Sequence, residues 1–409
     1  MSTILKAYKT ELDPTGKQIG LFLQHAGAAR WAYNWGLRKK IEAYKKTGKT
    51  PTAIDLHREL NILKRLPIEK GGVPWMYESS KCAPQEKLRD LDNAYKNFFR
   101  RCKSKVKNKG FPKFKSRKQG VGSFRFTGSI KAAETYVQLP VIGKVKLKER
   151  NYIPTQGVKV LSATVSESVG RWYISFQVEQ KALKSKPKES KIVGVDVGIK
   201  HLAITSDGEV FENPKVLVTL QSVLRTRQKA VSRKEKGSNN RKKAVHKLAV
   251  LHVRIANVRK DAIHKMTSAI AKSASVVVIE SLNVAGMLKN RHLAKALSDA
   301  SLSEIHRQLK YKMEWANGKV IEADRFYPSS KRCSKCGNVK LKLTLNERTY
   351  ICDKCGNIED RDVNAALNLK FLAASSAVKA CCPGSSGRSR KTSTKLLVGQ
   401  EPIRESQNV

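Results

Sequence analysis

The feature that most constrains this chain is a pair of CxxC motifs separated by fifteen residues. The motifs read CSKC and CDKC, and a glycine follows each, at Gly337 and Gly356. Thiols at this spacing are typical of a zinc site in which two short knuckles contribute two ligands each. The four ligands would be Cys333, Cys336, Cys352 and Cys355. A ribbon held together by metal is rigid, so it can aim the acidic residues that follow its second knuckle.

The charge of the chain narrows the class of its partners. The 409 residues include 81 Lys and Arg against 34 Asp and Glu, a formal net charge of +47. Such a chain repels itself unless a polyanion neutralises it, so nucleic acid is the expected partner. A membrane is not expected, because the sequence has no run of eighteen apolar residues and no apolar leader. Eight cysteines without a secretory signal indicate a reducing compartment, with metal binding and free thiols rather than disulfides.

The first hundred-odd residues predict a short edge strand at 4–10, followed by three helices between Lys17 and Lys103. From Arg100 to Lys118 there are ten basic residues and no acidic one. So dense a run of one sign favours contact with nucleic acid over an ordinary solvated surface. The candidate contacts are Arg100, Arg101, Lys103, Lys113 and Lys115. The aromatic residues Tyr95, Phe98 and Phe99 are interpreted as core, since they follow helical spacing.

From Ser123 to Gln180 the apolar period changes to two, which is typical of strands. This segment predicts a small β-barrel or a sheet. We expect the N-terminal strand to join it, which would make the helical segment an insertion within that domain. A linker at 181–190 then leads to a second domain. From Ala373 onward no periodic core pattern remains, so we expect a disordered tail in which Cys381 and Cys382 are free thiols.

Two apolar strands of the second domain carry a carboxylate at or near their ends. Asp196 lies in VGVDVG, and Glu280 follows SVVVI. A lone carboxylate in a core strand is costly unless it is paired or bound to metal. Glycines on both sides of Asp196, at 194 and 198, would let a bulky anion come close to the backbone.

The third candidate lies in EDRD, directly after the second knuckle. The VNAALNL that follows is helical, so Asp360 and Asp362 would point in different directions and only one can reach a shared metal. We assign this role to Asp362, because Ala365 and Ala366 one turn later would let the helix lie close to a sheet. Asp360 is expected to cap the helix.

Three acids from separate elements predict a hard-cation site, since carboxylate-only ligation suits Mg²⁺ or Mn²⁺. Two such ions about 3.5–4 Å apart can activate water and stabilise the leaving oxygen of a phosphodiester. Each acid alone could instead be a hydrogen-bonding group at a strand end or a helix cap. A purely structural explanation of all three acids would require three coincidences in a chain that also has the four cysteines.

A basic helical hairpin at 214–272 separates the first two acids, and nucleic-acid contact is slightly favoured there over solvation.

Together these motifs resemble one family. VGVDVGIKHLAIT, VVIESLNV and the CSKCG…CDKCG ribbon followed by DRDVNAALNL are similar to the TnpB family of transposon-encoded RNA-guided DNA nucleases, ancestors of type V CRISPR effectors. The resemblance extends to about residue 372. It implies a RuvC-like, RNase H-type nuclease domain whose split triad falls on Asp196, Glu280 and Asp362. It also implies two Mg²⁺ ions, with Mn²⁺ as a substitute, and one structural Zn²⁺.

The architecture that the resemblance implies is α/β with additional β-barrel and helical modules. The expected parts are a wedge-like β-barrel (1–15 and 119–185), an inserted helical recognition domain (16–118), the nuclease domain (186–326 and 357–372), an inserted zinc ribbon (327–356) and the disordered tail (373–409).

The implied partners are a guide RNA from the transposon end and double-stranded DNA beside a short transposon-associated motif. The resemblance implies a monomer with one RNA, in the cytoplasm of a prokaryote and associated with the nucleoid. Lys81, Gln85 and Thr127 occupy the places that read the motif in the family. Two alternatives are a DNA-binding regulator without catalysis, which the intact triad argues against, and a transposase that joins strands with the same acids.

Overall fold

A computed structural model of the chain describes residues 3–104, 108–181, 191–344 and 346–381, with only the backbone described at 119 and 374–381. The first half begins with strand β1 and continues with three helices and six strands. The elements are β1 (Thr3–Asp13), α1 (Gly16–Thr47), α2 (Ala53–Arg65), α3 (Cys82–Lys103), β2 (Ser123–Thr127), β3 (Lys131–Ala132), β4 (Tyr136–Leu139), β5 (Gly143–Leu147), β6 (Val158–Ser168) and β7 (Arg171–Lys181).

The seven strands form one antiparallel sheet in the order β2-β6-β7-β1-β5-β4-β3. The N-terminal strand does join this sheet, but it lies between β7 and β5 rather than at an edge. Within the described residues no strand pairing connects β2 to β3, so the sheet is open. The expected closed barrel is therefore wrong, and the alternative of a sheet is correct.

Helix α1 connects the sheet to the helical segment. Its Phe22 packs against Trp172 of β7 at a centroid distance of 4.9 Å, and both side chains are buried. Farther along α1, Ala28 and Ala32 pack in a second core with Leu56 of α2. Thr15 and Thr52 begin α1 and α2 with capping boxes, which satisfy backbone N–H groups at both helix starts.

The second half contains a five-stranded sheet with helices packed on it. Its elements are β8 (Ile192–Asp196), β9 (His201–Thr205), β10 (Val210–Glu212), α4 (Val216–Thr219), α5 (Gln221–Ser232), α6 (Asn239–Ser273), β11 (Val276–Glu280), α7 (Val284–Met287), α8 (Ala294–Ala300), α9 (Leu302–Trp315), β12 (Lys319–Ala323), β13 (Thr349–Ile351), β14 (Ile358–Asp360) and α10 (Arg361–Cys381).

The sheet order is β10-β9-β8-β11-β12. The first three strands are antiparallel, whereas β8, β11 and β12 run parallel. In the β8–β11 register Val195 pairs with Ile279. The next residue on each strand is an acid, so the register sets Asp196 and Glu280 side by side at one edge of the sheet.

Helix α10 lies across β8 with its backbone almost in contact with the strand. A Cβ atom added to Gly194 would lie 2.0 Å from the carbonyl oxygen of Ala366 and 2.6 Å from the amide nitrogen of Lys370. Ala365 and Ala366 are buried at this contact, so the predicted close packing of the helix on a sheet is confirmed. The role expected for Gly194 was wrong: the glycine admits the helix rather than an anion.

The C-terminal helix is longer than predicted. It continues to Cys381, nine residues past the predicted boundary at 372. Residues 382–409, with Cys382, lie outside the described residues, as does 182–190 of the predicted linker. Within the part of the chain that the structure describes, no helix is long and apolar enough to cross a membrane.

We predict that Gly194→Ala destabilises the protein by about 1–3 kcal/mol, because the added methyl group overlaps the backbone of α10. Urea denaturation measures the change. Gly20→Ala is the matched control: Gly20 is an exposed position within α1, and an added Cβ there meets nothing within 4 Å. The control is expected to stabilise by about 0.5–1 kcal/mol. Equal stability of Gly194→Ala and the wild type would contradict the account of this contact.

Candidate active site and zinc ribbon

Three elements each deliver one acid to the same cleft. Asp196 ends β8, Glu280 ends β11, and Asp362 lies in the first turn of α10. All three line a cleft of about 580 Å³. The structure thus brings together the three acids that the sequence analysis selected.

The carboxylates repel one another at this edge of the sheet. Burial raises the pKa of Asp196 to about 8, and the negative charges of Glu280 and Asp362 add to the effect. A hard divalent cation among the carboxylates would offset both costs, and its preferred ligands are carboxylate oxygens. The donor set therefore fits Mg²⁺ or Mn²⁺. The carboxylate oxygens of the three acids are more widely spaced than the ligands of a closed metal site. In the described residues, only the four cysteines bring their ligand atoms within 4.8 Å of one another.

Asp360 caps the helix that carries the third acid. One of its carboxylate oxygens accepts hydrogen bonds from the backbone N–H groups of Asp362 (2.9 Å) and Val363 (3.2 Å). The predicted capping role is confirmed. Asp360 also pairs with Thr349 in the ribbon, so the cap joins the end of the ribbon to the start of α10.

Two arginines bring positive charge to the cleft. Arg348 and Arg361 both line it, and Arg361 lowers the pKa of Asp196, opposing the effect of burial. The Arg361 guanidinium donates a hydrogen bond to the carbonyl of Thr344 at 2.9 Å, which holds this side chain against the ribbon. Sequence reasoning missed both residues, because no local pattern distinguishes them among 81 basic side chains.

Glu280 has a partner that the sequence analysis also missed. Its Oε1 accepts a hydrogen bond from the hydroxyl of Ser329, a buried residue between β12 and the first knuckle. Ser329 is held in turn by Asn368 of α10. A usable signal was present, since Asn364 and Asn368 are polar residues spaced by four on the otherwise apolar face of an Ala-rich helix.

The four cysteines form the expected cluster. The Sγ atoms of Cys333 and Cys355 lie 3.7 Å apart, and those of Cys336 and Cys352 lie 3.5 Å apart. A tetrahedral zinc ion about 2.3 Å from each sulfur separates them by about 3.8 Å, so these residues could hold a structural zinc. A backbone N–H of Cys355 lowers the pKa of Cys352 to about 6, whereas hydrogen bonds among the clustered thiols raise the pKa of Cys355 to about 12.

The two knuckles have the same backbone geometry. Gly337 and Gly356 have φ values of 74° and 66°, so the predicted bend at each glycine is confirmed. In each knuckle the N–H of the first cysteine donates to a carbonyl five residues later at 2.8 Å. Tyr350 is fully buried against Cys333 and Cys352, which gives the ribbon a small core.

Of the residues expected to read a DNA motif, Thr127 contacts the start of α3, the helix near whose start Lys81 and Gln85 lie. Thr127 ends β2, and its hydroxyl lies 3.7 Å from the sulfur of Cys82, the first residue of α3. Lys81 is exposed just before that helix, and Gln85 is half-buried on its first turn.

The candidates in the basic run differ from one another. All five are exposed: Arg100, Arg101, Lys103, Lys113 and Lys115. The ammonium group of Lys115 also lies over the ring of Tyr33, 3.9 Å from its centroid, and its backbone exchanges hydrogen bonds with Asn34. Lys115 therefore attaches this loop to α1. Among the aromatics, Tyr95 is core as predicted, but Phe99 is 48% exposed.

Known protein families match three segments of the sequence. The family described as "Probable transposase" matches residues 163–291, and the one described as "Cas12f1-like, TNB domain" matches 303–369. A third, "Helix-turn-helix domain", matches 1–49. In the structure, the described part of 1–49 holds strand β1 and the single long helix α1.

Related proteins match over almost the whole chain. One from Streptomyces pristinaespiralis, named "Putative RNA-guided DNA endonuclease", is 34% identical over 100% of this chain and 99% of its own length. Another from Escherichia coli strain K12, whose name adds InsQ, is 34% identical over 92% of this chain and 94% of its own. A solved Cas12f1-sgRNA-target DNA complex aligns over 90% of this chain and 99% of its own at 16% identity, but its TM-score of 0.34 supports no structural argument.

We predict that Cys352→Ser lowers the zinc content well below the expected one ion per chain, because a serine hydroxyl is a poor replacement for a thiolate. Elemental analysis of the purified protein measures the content. Cys102→Ser is the matched control, since Cys102 lies on α3 outside the cluster. Full zinc content in Cys352→Ser, or an equal loss in both variants, would contradict the assignment.

Proposed function

Because this chain belongs to the TnpB family, we propose that it is an RNA-guided DNA endonuclease that cleaves phosphodiesters at the cleft lined by Asp196, Glu280 and Asp362. The observation that carries the proposal is that three acids from two strand ends and a helix start line one cleft. The names of the full-length relatives supply the substrate class and the guide.

The arrangement of the second half supports an RNase H-like, RuvC-type nuclease domain. Three antiparallel strands, β10, β9 and β8, continue into two strands parallel to β8. The acids lie at the ends of the two central neighbours and on the helix packed across them. The proposed domain boundaries are 1–15 and 119–185 for the first sheet, 16–118 for the inserted helical domain, 186–326 and 357–372 for the nuclease domain, and 327–356 for the zinc ribbon.

In the proposed reaction the three carboxylates would hold Mg²⁺, or Mn²⁺ in its place, and the bound metal would supply activation of water and stabilisation of the leaving oxygen. Burial raises the pKa of Asp196 to about 8, and this carboxyl group must lose its proton to act as a ligand. Glu280 is oriented by Ser329. Arg348 and Arg361 offer positive charge to the phosphodiester, and Met287 and Leu293 add apolar side chains to the lining of the cleft.

Charge in the first half and in the α5–α6 hairpin suits two nucleic-acid partners. Between Arg225 and Lys243 the hairpin has nine basic residues and one acid, Glu235. Within the described residues, none of these basic side chains forms an ion pair, so their charge is free to meet phosphates. Pairing between the guide RNA and the target strand would supply most of the sequence specificity.

Lys81, Gln85 and Thr127 are proposed to read the transposon-associated motif. Their support is proximity, since Thr127 touches the first residue of α3 and the other two flank that residue. Gly128 follows Thr127 with a φ of 69°, so the loop turns sharply at this surface. One protein chain with one guide RNA, in a prokaryotic cytoplasm, is the assembly we propose.

The family described as "Probable transposase", which matches residues 163–291, suggests one alternative function. A transposase would use the same acids to join a DNA end to a target, whereas the proposed enzyme hydrolyses DNA and leaves free ends. Sequencing of the reaction products distinguishes joined strands from free ends.

We predict that Asp196→Ala lowers cleavage by about 10³-fold or more, because the site loses a cation ligand, while binding of the guide RNA persists. Cleavage of a guide-matched plasmid and RNA co-purification are the two measurements. Asp261→Ala, at an exposed acid on α6 paired with Lys265, is the matched control and should cleave like the wild type. Cleavage retained by Asp196→Ala would exclude this acid from the site.

We also predict that the hairpin contributes phosphate contacts. Glutamine at Arg227, Lys234 and Lys243, which line one groove, should weaken nucleic-acid binding. Each lost phosphate contact should reduce the slope of log affinity against log salt by about 0.7–0.9. Glutamine at Lys45, Lys46 and Lys49 removes the same charge at the end of α1 and serves as control. Equal slopes for the two triple variants would mean that only the total charge matters.

A further inference from the structure

We propose that Ser329 is a positioning residue for Glu280, and that two asparagines of α10 attach Ser329 and the first zinc knuckle to the helix that carries Asp362. This inference rests on the proposed function, because it concerns how the chain shapes the cation site proposed there. It assigns a role in catalysis to residues that are neither acids nor zinc ligands.

Ser329 acts directly on the acid. It is only 4% exposed, and its hydroxyl donates a hydrogen bond to Oε1 of Glu280. A carboxylate held at one oxygen loses rotational freedom, and its other oxygen is presented in a fixed direction.

Asn368 fixes the backbone on which Ser329 stands. It is 1% exposed, and its amide nitrogen donates to the carbonyl of Ser329 at 2.8 Å and to that of Arg332 at 2.6 Å. Two carbonyl acceptors require a group with two N–H donors, which neither aspartate nor leucine provides. On its other side, the Tyr327 hydroxyl donates to the backbone carbonyl of Asn368 at 3.1 Å.

Asn364 attaches the first zinc knuckle to α10 in a similar way. Its amide nitrogen donates to the carbonyl of Arg332 at 2.7 Å, and its oxygen accepts from the backbone N–H of Ser334 at 3.0 Å. These two bonds lie on either side of the zinc ligand Cys333. Asn364 is fully buried and lies two residues after Asp362.

The two asparagines, one helical turn apart, therefore join three parts of the site: the helix of Asp362, the knuckle of Cys333 and the serine that holds Glu280. A purely structural role would affect stability alone, since a buried amide without its partners costs free energy wherever it lies. A positioning role also changes how strongly the carboxylates bind a cation. The two roles therefore differ in a measurable way.

The test is a Mn²⁺ titration of the zinc-loaded full chain, in which binding is followed as the rise in Tm. In the wild type, Mn²⁺ should raise Tm because it offsets the repulsion among the acids, and Asp196→Ala should abolish the rise. Ser329→Ala should require about tenfold more Mn²⁺ for the same rise, the usual cost of losing a hydrogen bond to a metal ligand. Its zinc content should be unchanged.

Ser162→Ala is the matched control for the loss of a buried hydroxyl. Ser162 lies on β6, is 8% exposed and donates to the side-chain oxygen of Gln177. This variant can lose stability but should keep the wild-type midpoint for Mn²⁺. Ser329→Thr, which retains the hydroxyl, should recover most of the Mn²⁺ response.

Asn368→Leu is a second, independent variant that touches no acid. It should shift the Mn²⁺ midpoint in the same direction as Ser329→Ala. Unchanged midpoints in Ser329→Ala and Asn368→Leu would overturn the inference and leave the proposed function intact. A wild type with no Mn²⁺ response that depends on Asp196 would overturn the cation site itself, and the inference with it.

Discussion

The contact between the backbone of α10 and strand β8 at Gly194 determines the geometry of the site. Only a hydrogen atom fits between the strand and the carbonyl of Ala366. This contact lies two residues from Asp196 and one helical turn from Asp362, so the separation of the two acids depends on backbone packing rather than on flexible side chains. Glu280 is fixed by the same sheet, through the pairing of Ile279 with Val195. All three acids are therefore tied to one rigid frame.

The frame must be rigid because bringing the three carboxylates together costs free energy. Burial and like charges raise the pKa of Asp196 to about 8, so the free energy of folding has to hold the carboxylates at one edge. The ribbon strengthens this frame with only a short segment of chain. With Tyr350 as the centre of its core, it is too small to be stable alone, and four thiolates around a zinc ion would supply the missing stability. Asn364 and Asn368 then connect that stability to α10.

The features that were predictable from the sequence are those that short segments encode. The knuckle cysteines, the glycines that bend them, the acid at each strand end and the cap at Asp360 are all local patterns. What the sequence did not reveal depends on contacts between distant segments. The openness of the first sheet, the reason for Gly194 and the bond from Ser329 to Glu280 belong to this class. Helix α10 passes the expected boundary at 372 because Leu372 and Ala373 still pack on the core around Val278.

The measurement that tests the central claim most directly is depletion of a plasmid library. Each plasmid carries a guide-matched target beside randomised flanking bases, and the protein is supplied with its native flanking RNA and Mg²⁺. The account predicts that a narrow set of flanks disappears with the wild type and that none disappears with Asp196→Ala. If the wild type depletes no flank although it co-purifies with RNA and captures the target in a pull-down, the chain is a binding protein and the account is contradicted.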